Sequence, residues 1–115
     1  MSEQLSENFY REEFACKCGC GFDTVDAALL ELLQEIRDHF GRKVTITSGC
    51  RCPDYNDLIG GSEKSQHLLG RAADIVVENI KPADVQEICE VWEVPGLGKY
   101  SDFTHVDTRT GGARW

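Results

Sequence analysis

The sequence predicts an α+β domain in which helices pack on a small, mainly antiparallel sheet. Three observations lead to this prediction: helically spaced apolar residues before Gly41, an alternating stretch directly after it, and short strand-like runs later in the chain. The predicted order is helix, strand, loop, strand, helix, strand, strand, which is typical of helices covering one small sheet. A length of 115 residues predicts a single domain over residues 1–115.

The first long element is a helix that ends at Phe40. Its apolar residues recur every three or four positions, Asp23 or Thr24 can cap its start, and Gly41 stops it. Residues 43–48 alternate between polar and apolar side chains and predict a strand. In chain order, the other expected elements are an irregular lead-in (1–10), a helical turn (10–14), an irregular Cys- and Gly-rich segment (16–22), a long loop (49–66) with a short helix (53–59), a strand (72–77), a helix between Pro82 and Pro95, two short strands (98–100 and 103–108) and a glycine-rich tail.

The charge and hydropathy of the chain exclude several classes of protein. A net charge of -8 argues against nucleic-acid binding and against docking by charge onto an anionic membrane or wall polymer. No apolar run approaches the roughly 20 residues that a membrane span requires. The polar, acidic N-terminus does not resemble a secretory signal, so we expect synthesis in the cytoplasm and release by other means if the protein acts outside. We also expect a monomer.

The segment from Ser65 to Asp74 contains the residues most typical of a chemical site. His67 and Asp74 flank a glycine, and a second histidine, His105, lies near the C-terminus. Two histidines and one carboxylate form a ligand set that zinc accepts, with one position left for water. Asp74 lies within an apolar run, where an unpaired carboxylate is costly. A metal ion or an arginine, Arg51 or Arg71, would remove that cost.

The pattern Ser65-x-His67-x-x-Gly70-x-Ala72-x-Asp74 resembles the zinc motif of the D-alanyl-D-alanine metallocarboxypeptidases. That family includes the L-alanoyl-D-glutamate endopeptidases of phage lysins, and the Hedgehog signalling domain shares its fold. The resemblance extends from about Asn8 to Trp115. It includes the segments 47–51, 102–105 and 113–115, and it is strongest to small phage-type members.

The resemblance implies a role for each matching residue. It implies one zinc ion bound by three ligands, which are His67, Asp74 and His105. Asp102 matches the catalytic acid/base, Arg51 matches the residue that steadies a substrate carbonyl or carboxylate, and Ser65 matches a serine that holds the site or the substrate.

These roles imply a zinc-dependent peptidase that hydrolyses peptidoglycan stem peptides by metal-activated water. The bond would be either a terminal D-Ala-D-Ala bond or an internal L-Ala-D-Glu bond. An alternative is a non-catalytic, zinc-containing binding domain on the same scaffold, and a further alternative is a small metal sensor.

Six cysteines remain to be explained. Those in the two tight groups, 16–20 and 50–52, are compatible with a four-thiolate metal site, with one or two disulfides, or with free buried thiols. Cys89 lies on the inner face of a predicted helix and is expected in the core. Asp107 is expected to orient a histidine or to pair with Arg109 or Arg114. Trp115 is expected either to cover the core as a lid or to line the substrate groove.

Overall fold

The structure is a computed structural model that describes residues 3–115. The strands are β1 (Gln4–Ser6), β2 (Phe9–Tyr10), β3 (Val44–Ser48), β4 (Ala72–Val77), β5 (Gly96–Lys99), β6 (Thr104–Asp107) and β7 (Ala113–Arg114). The α-helices are α1 (Ala27–Phe40), α2 (Pro53–Leu58) and α3 (Pro82–Val91), and two 3-10 helices cover Arg11–Phe14 and Gln66–Leu69.

Five strands form one mixed sheet in the order β3-β4-β6-β5-β7. Every neighbouring pair is antiparallel except β5 and β7, which run parallel. The prediction of an α+β fold with a mainly antiparallel sheet is therefore confirmed. Strand β7 falls in the segment expected to be a glycine-rich tail. The strand was missed because its two residues are too few to form an alternating pattern.

The N-terminal segment is more ordered than its sequence indicated. Residues 4–10 form the hairpin β1–β2, so the expectation of an irregular lead-in is wrong there, while residues 1 and 2 lie outside the described residues. Phe9 is buried in the core, and the Gln34 side chain on α1 hydrogen-bonds to Ser6 and Asn8. These contacts attach the hairpin to α1.

The core lies between the sheet and the helices. Helix α1 buries Leu29, Leu33 and Ile36, as its three-or-four spacing predicts. Helix α3 contributes Val85 and Cys89, which confirms the core position expected for Cys89. Among the helices of residues 3–115, none combines the length and the apolar character that crossing a bilayer requires.

The register of the central strands determines where polar side chains meet. Asp74 on β4 is paired with Ser48 on β3 and with His105 on β6. The β3–β4 register shifts between Ile46 and Ser48, which indicates an irregularity at the end of β3. The sheet therefore places Asp74 between two strand ends that both carry polar side chains.

Candidate metal centre and its cleft

Asp74 and His105 face each other across neighbouring antiparallel strands. Residues paired in this way have their side chains on the same face of the sheet. The Nδ1 atom of His105 lies 3.0 Å from Oδ1 of Asp74, and both residues are buried. Strand pairing alone therefore accounts for two of the three predicted ligands.

His67 reaches the same point from the second 3-10 helix. Ser65 caps this helix, because its hydroxyl oxygen accepts a hydrogen bond from the backbone N–H of His67 at 3.2 Å. Gly70 ends it with a left-handed backbone (φ 67°) that turns the chain into β4. This cap and this turn bring His67 and Asp74 together, with Nε2 of His67 3.3 Å from Oδ1 of Asp74.

The hydrogen bonds of His67 define its tautomer. Its Nδ1 atom lies 2.6 Å from the carbonyl oxygen of Gly49, and a carbonyl can only accept, so Nδ1 carries the proton. Nε2 is buried and has no hydrogen-bond partner within residues 3–115. A neutral His67 therefore presents an unshared lone pair toward Asp74.

His105 is oriented by Asp107. The Nε2 atom of His105 lies 2.7 Å from Oδ2 of Asp107, which is fully buried. Asp107 also accepts hydrogen bonds from the Arg109 side chain at 2.9 and 2.7 Å. It thus orients a histidine and also pairs with Arg109, whereas Arg114 pairs with Glu90. When Nε2 of His105 holds a proton for Asp107, Nδ1 can offer its lone pair beside Asp74.

Charged neighbours shift the pKa values of this group in opposite directions. Burial disfavours ionised Asp74 and Asp107, but hydrogen bonds from His105 to both carboxylates, with Arg109 adding to those on Asp107, outweigh it and hold both carboxyl pKa values well below their usual range. Burial also disfavours charged His105, yet its bonds to Asp107 and Asp74 raise its pKa. The site therefore favours negatively charged Asp74 and Asp107 beside a positively charged His105.

Arg51 is the arginine that contacts Asp74. Its Nη2 atom lies 3.3 Å from Oδ2 of Asp74, its Nε donates to the hydroxyl of Ser48 at 3.2 Å, and its Nη1 donates to buried Asn56 at 3.3 Å. The prediction that an arginine, Arg51 or Arg71, offsets the buried charge of Asp74 is thus met by Arg51.

The donor set suits a metal ion. One ligand atom from each of His67, Asp74 and His105 lies within 4.8 Å of the others, and all three residues are buried. Two imidazole nitrogens converge on one carboxylate oxygen, and the buried Nε2 of His67 has no protein donor for its lone pair in the described chain. A divalent cation with nitrogen and oxygen ligands, such as zinc, satisfies that lone pair.

A cleft of about 480 Å³ opens over these ligands, within the size range of small-molecule sites. Besides the three ligands, it is lined by Arg51, Ser65, Tyr100, Phe103, Arg109 and Trp115, among others. Two arginines and a set of aromatic rings are therefore available to a bound molecule.

Trp115 is a wall of this cleft. Its side chain is 46% exposed, and the centre of its ring lies 4.7 Å from the centre of the His105 ring. Its Nε1 donates to the hydroxyl of Tyr100 at 2.8 Å. The Arg109 guanidinium lies 5.0 Å from the centre of the indole ring. Trp115 lines the cleft and does not cover the core as a lid, because strand β7 carries it to the sheet edge beside the candidate ligands.

The other predicted site residues differ in whether they line the cleft. Arg51 and Ser65 line the cleft together with the ligands. Asp102 lies in an exposed bend between β5 and β6, and the residues of the described chain that line the cleft do not include it. Its role as acid/base therefore stays a prediction.

Sequence reasoning missed Tyr100 and Phe103, whose rings stack with centres 4.3 Å apart at the cleft. Their position on either side of Asp102, just before His105, is the signal that would have found them. Aromatic residues next to a metal-ligand motif are candidates for substrate contacts.

A buried His-Asp-His group that could hold a metal ion lies beneath an arginine-lined cleft. The chain belongs to the Peptidase M15 family, which it matches over residues 7–107. This match confirms the resemblance to the zinc D-alanyl-D-alanine peptidases that the motifs indicated.

The chain is also similar to curated proteins named peptidoglycan L,D-endopeptidase MepK. The relatives from Escherichia coli K12, Escherichia coli O157:H7 and Shigella flexneri are each 28% identical to it over 119 aligned residues. The alignment covers 94% of this chain and 63% of each relative, so the chain spans less than two thirds of their length.

Proposed function

We propose that this protein is a zinc-dependent peptidase that hydrolyses peptidoglycan stem peptides. The observation that carries the proposal is the convergence of two histidine lone pairs and one carboxylate at the base of the cleft. Membership of the Peptidase M15 family and similarity to MepK, which is named a peptidoglycan L,D-endopeptidase, support it.

His67, Asp74 and His105 would hold the ion through Nε2, a carboxylate oxygen and Nδ1. Zinc, when bound, supplies Lewis-acid chemistry and lowers the pKa of a water molecule to about 7, which makes a nucleophile available at neutral pH. Gly49 and Asp107 support this arrangement, because each binds the ring nitrogen that is not used for ligation.

The remaining steps belong to residues around the ligands. Asp102 would accept the proton of the attacking water and deliver it to the leaving amine. Arg51, held by Ser48 and Asn56, would offer fixed donors to a substrate carbonyl or carboxylate. Ser65 would keep its role as the cap that holds His67 and would present its edge of the cleft to the substrate.

The name of the relatives favours an internal bond between an L- and a D-residue, such as L-Ala-D-Glu, over a terminal D-Ala-D-Ala bond. We further propose that the protein is a monomer made in the cytoplasm, that it acts at the cell wall after phage-type release, and that it binds neither nucleic acid nor membrane. The net charge of -8 supports the proposal that the protein binds neither nucleic acid nor membrane.

Incubation of purified protein with whole peptidoglycan, followed by mass analysis of the released fragments, tests the activity. Asp102→Ala should lower the rate at least about a hundredfold, because a positioned acid/base contributes that much. Ser101→Ala, in the same exposed bend, is the matched control and should keep the rate. Full activity of Asp102→Ala would show that another group transfers the proton.

The same incubation separates the enzyme from a non-catalytic binding domain. An enzyme releases peptide fragments with new amino termini, and their masses identify the bond that is cut. A binding domain would co-sediment with peptidoglycan and release no fragment. Activity that survived complete removal of zinc would contradict the metal requirement.

A further inference from the structure

Four cysteines that the proposed peptidase chemistry does not use come together in the fold. Three belong to the irregular segment before α1, and the fourth directly precedes α2. The sulfur atoms of the four residues all lie within 4.8 Å of one another. These residues are Cys16, Cys18, Cys20 and Cys52. Residues more than 30 positions apart in the chain thus share one small volume.

The distances between these sulfur atoms match a tetrahedral ion site. The Cys16–Cys18, Cys18–Cys52 and Cys16–Cys52 separations are 3.5, 3.6 and 3.8 Å. Zinc–sulfur bonds of about 2.3 Å in a tetrahedron place neighbouring sulfur atoms about 3.8 Å apart. A disulfide would instead draw two sulfur atoms to about 2.05 Å.

The local backbone is arranged to support thiolates. The N–H of Cys52 donates to the sulfur of Cys16 and the N–H of Tyr55 donates to the sulfur of Cys52, each at 3.4 Å. Gly19 and Gly21 have left-handed backbones (φ 81° and 93°), and these turns let three closely spaced cysteines point toward one centre. Backbone donors that face the sulfur atoms favour their charged form.

We propose that Cys16, Cys18, Cys20 and Cys52 bind a second zinc ion as four thiolates, and that this ion has a structural role. A closed site with four sulfur ligands leaves no position for substrate, unlike the His-Asp-His site. Cys50 is excluded, because it is not in this group and its single S–H points to the carbonyl oxygens of Phe14 and Phe22, 3.1 and 3.0 Å from the sulfur.

The ion would anchor the segment that supports the candidate active site. Residues 15–26 contain no helix or strand, and the four-cysteine cluster links them to the chain just before α2. Arg51, which contacts Asp74, immediately precedes Cys52, and Gly49, whose carbonyl orients His67, lies three residues before Cys52. The proposal does not depend on the peptidase activity, because it concerns a separate ligand set.

Metal analysis of a His67→Ala protein, purified under reducing conditions, tests the second site in isolation. The wild-type chain should hold about two zinc ions and the His67→Ala chain about one, since only the four-thiolate site remains intact. Adding Cys18→Ser should remove that ion. Cys50→Ser is the matched control, because a serine hydroxyl can still donate to one of the two carbonyls, and it should retain the zinc.

X-ray absorption at the zinc edge of the His67→Ala protein keeps the test decisive if a cysteine variant does not fold. A shell of four sulfur atoms at about 2.3 Å supports the proposal. Zinc with only nitrogen or oxygen neighbours, iron in place of zinc, no bound metal, or a mass lower by two hydrogen atoms from a disulfide would each overturn it.

Discussion

The two histidines of the candidate centre present different ring nitrogens to Asp74. A backbone carbonyl, that of Gly49, holds Nδ1 of His67, whereas the carboxylate of Asp107 holds Nε2 of His105. Each partner occupies the nitrogen that points away from Asp74 and so leaves the other available. Which ring nitrogen each histidine offers to a metal ion therefore depends on residues that would not touch the ion.

Asp107→Asn should weaken zinc binding about 10- to 100-fold, because loss of an outer carboxylate typically has this effect on metal affinity. Competition against a chromophoric chelator measures the change. Asp26→Asn is the control, since Asp26 contacts Thr108 and is not among the metal-ligand group. An Asp107→Asn protein with unchanged zinc affinity would show that Asp107 serves only its pair with Arg109.

The zinc-free protein should show a stability maximum at mildly acidic pH. The folded-state pKa of Asp107 is lowered. Its ionised carboxylate therefore stabilises the fold at pH values above the ordinary pKa of 3.8, and this stabilisation is lost as pH falls through the folded pKa. The pKa of His105 is raised, so its contribution is complete below its ordinary value of 6.5 and is lost as pH rises through the folded pKa. Both contributions to stability are complete between pH 3.8 and pH 6.5.

Thermal unfolding of chelator-treated protein across this pH range measures the effect. His105→Gln, which cannot take up the proton, should lose the decline on the alkaline side. A wild-type midpoint that kept rising above the raised pKa of His105 would contradict the assignment of the proton to this ring.

At the scale of single elements, the turn between the second 3-10 helix and β4 brings His67 and Asp74 together. Gly70 adopts φ 67° there, and a Cβ atom at this position would lie 2.6 Å from the carbonyl oxygen of Thr24. The backbone N–H of Asp26 also donates to the carbonyl of Gly70 at 2.8 Å. The turn is therefore packed directly against the segment that leads into α1.

Gly70→Ala should lower the free energy of unfolding by more than Gly41→Ala does. Both glycines are left-handed, which costs an alanine about 1–2 kcal/mol, but a Cβ at Gly41 meets no atom within 4 Å. The difference between the two variants isolates the contact with Thr24, and urea denaturation measures it. Equal losses would show that the chain near Thr24 moves aside without cost.

At the scale of the whole molecule, one apolar cluster includes residues from the N-terminal hairpin, α1, α3 and the large sheet. Phe9 on β2 is 1% exposed, and its ring centre lies 6.1 Å from that of Phe14. Because the hairpin contributes to the same core as the sheet, we predict that residues 1–115 unfold as a single domain.

Phe9→Ala should destabilise the entire chain by about 3–5 kcal/mol, as expected for loss of a buried aromatic ring. Val91→Ala, at a position that is 69% exposed, is the control and should change stability by no more than about 0.5 kcal/mol. Denaturation followed by far-ultraviolet and near-ultraviolet circular dichroism should give coincident transitions. Separate transitions would show that the hairpin and the sheet unfold independently.

The sequence alone determined the fold class, the long helices and the identity of the three candidate ligands. Helical spacing in α1 and alternation in β3 are local patterns, and the motif around His67 and Asp74 is contiguous, so each can be read without knowing the fold. The acid/base role of Asp102 came only from the family resemblance, and it stays a prediction.

Only the tertiary structure decided what those residues contact. The pairing of Arg51 with Asp74, the double role of Asp107, the place of Trp115 in the cleft and the meeting of Cys52 with Cys16 all join segments that are distant in the chain or depend on strand register. Such contacts follow from sheet order and loop path, which a linear pattern of residues does not contain. The sequence motifs therefore name the candidate ligands, and the fold supplies the partners that orient them.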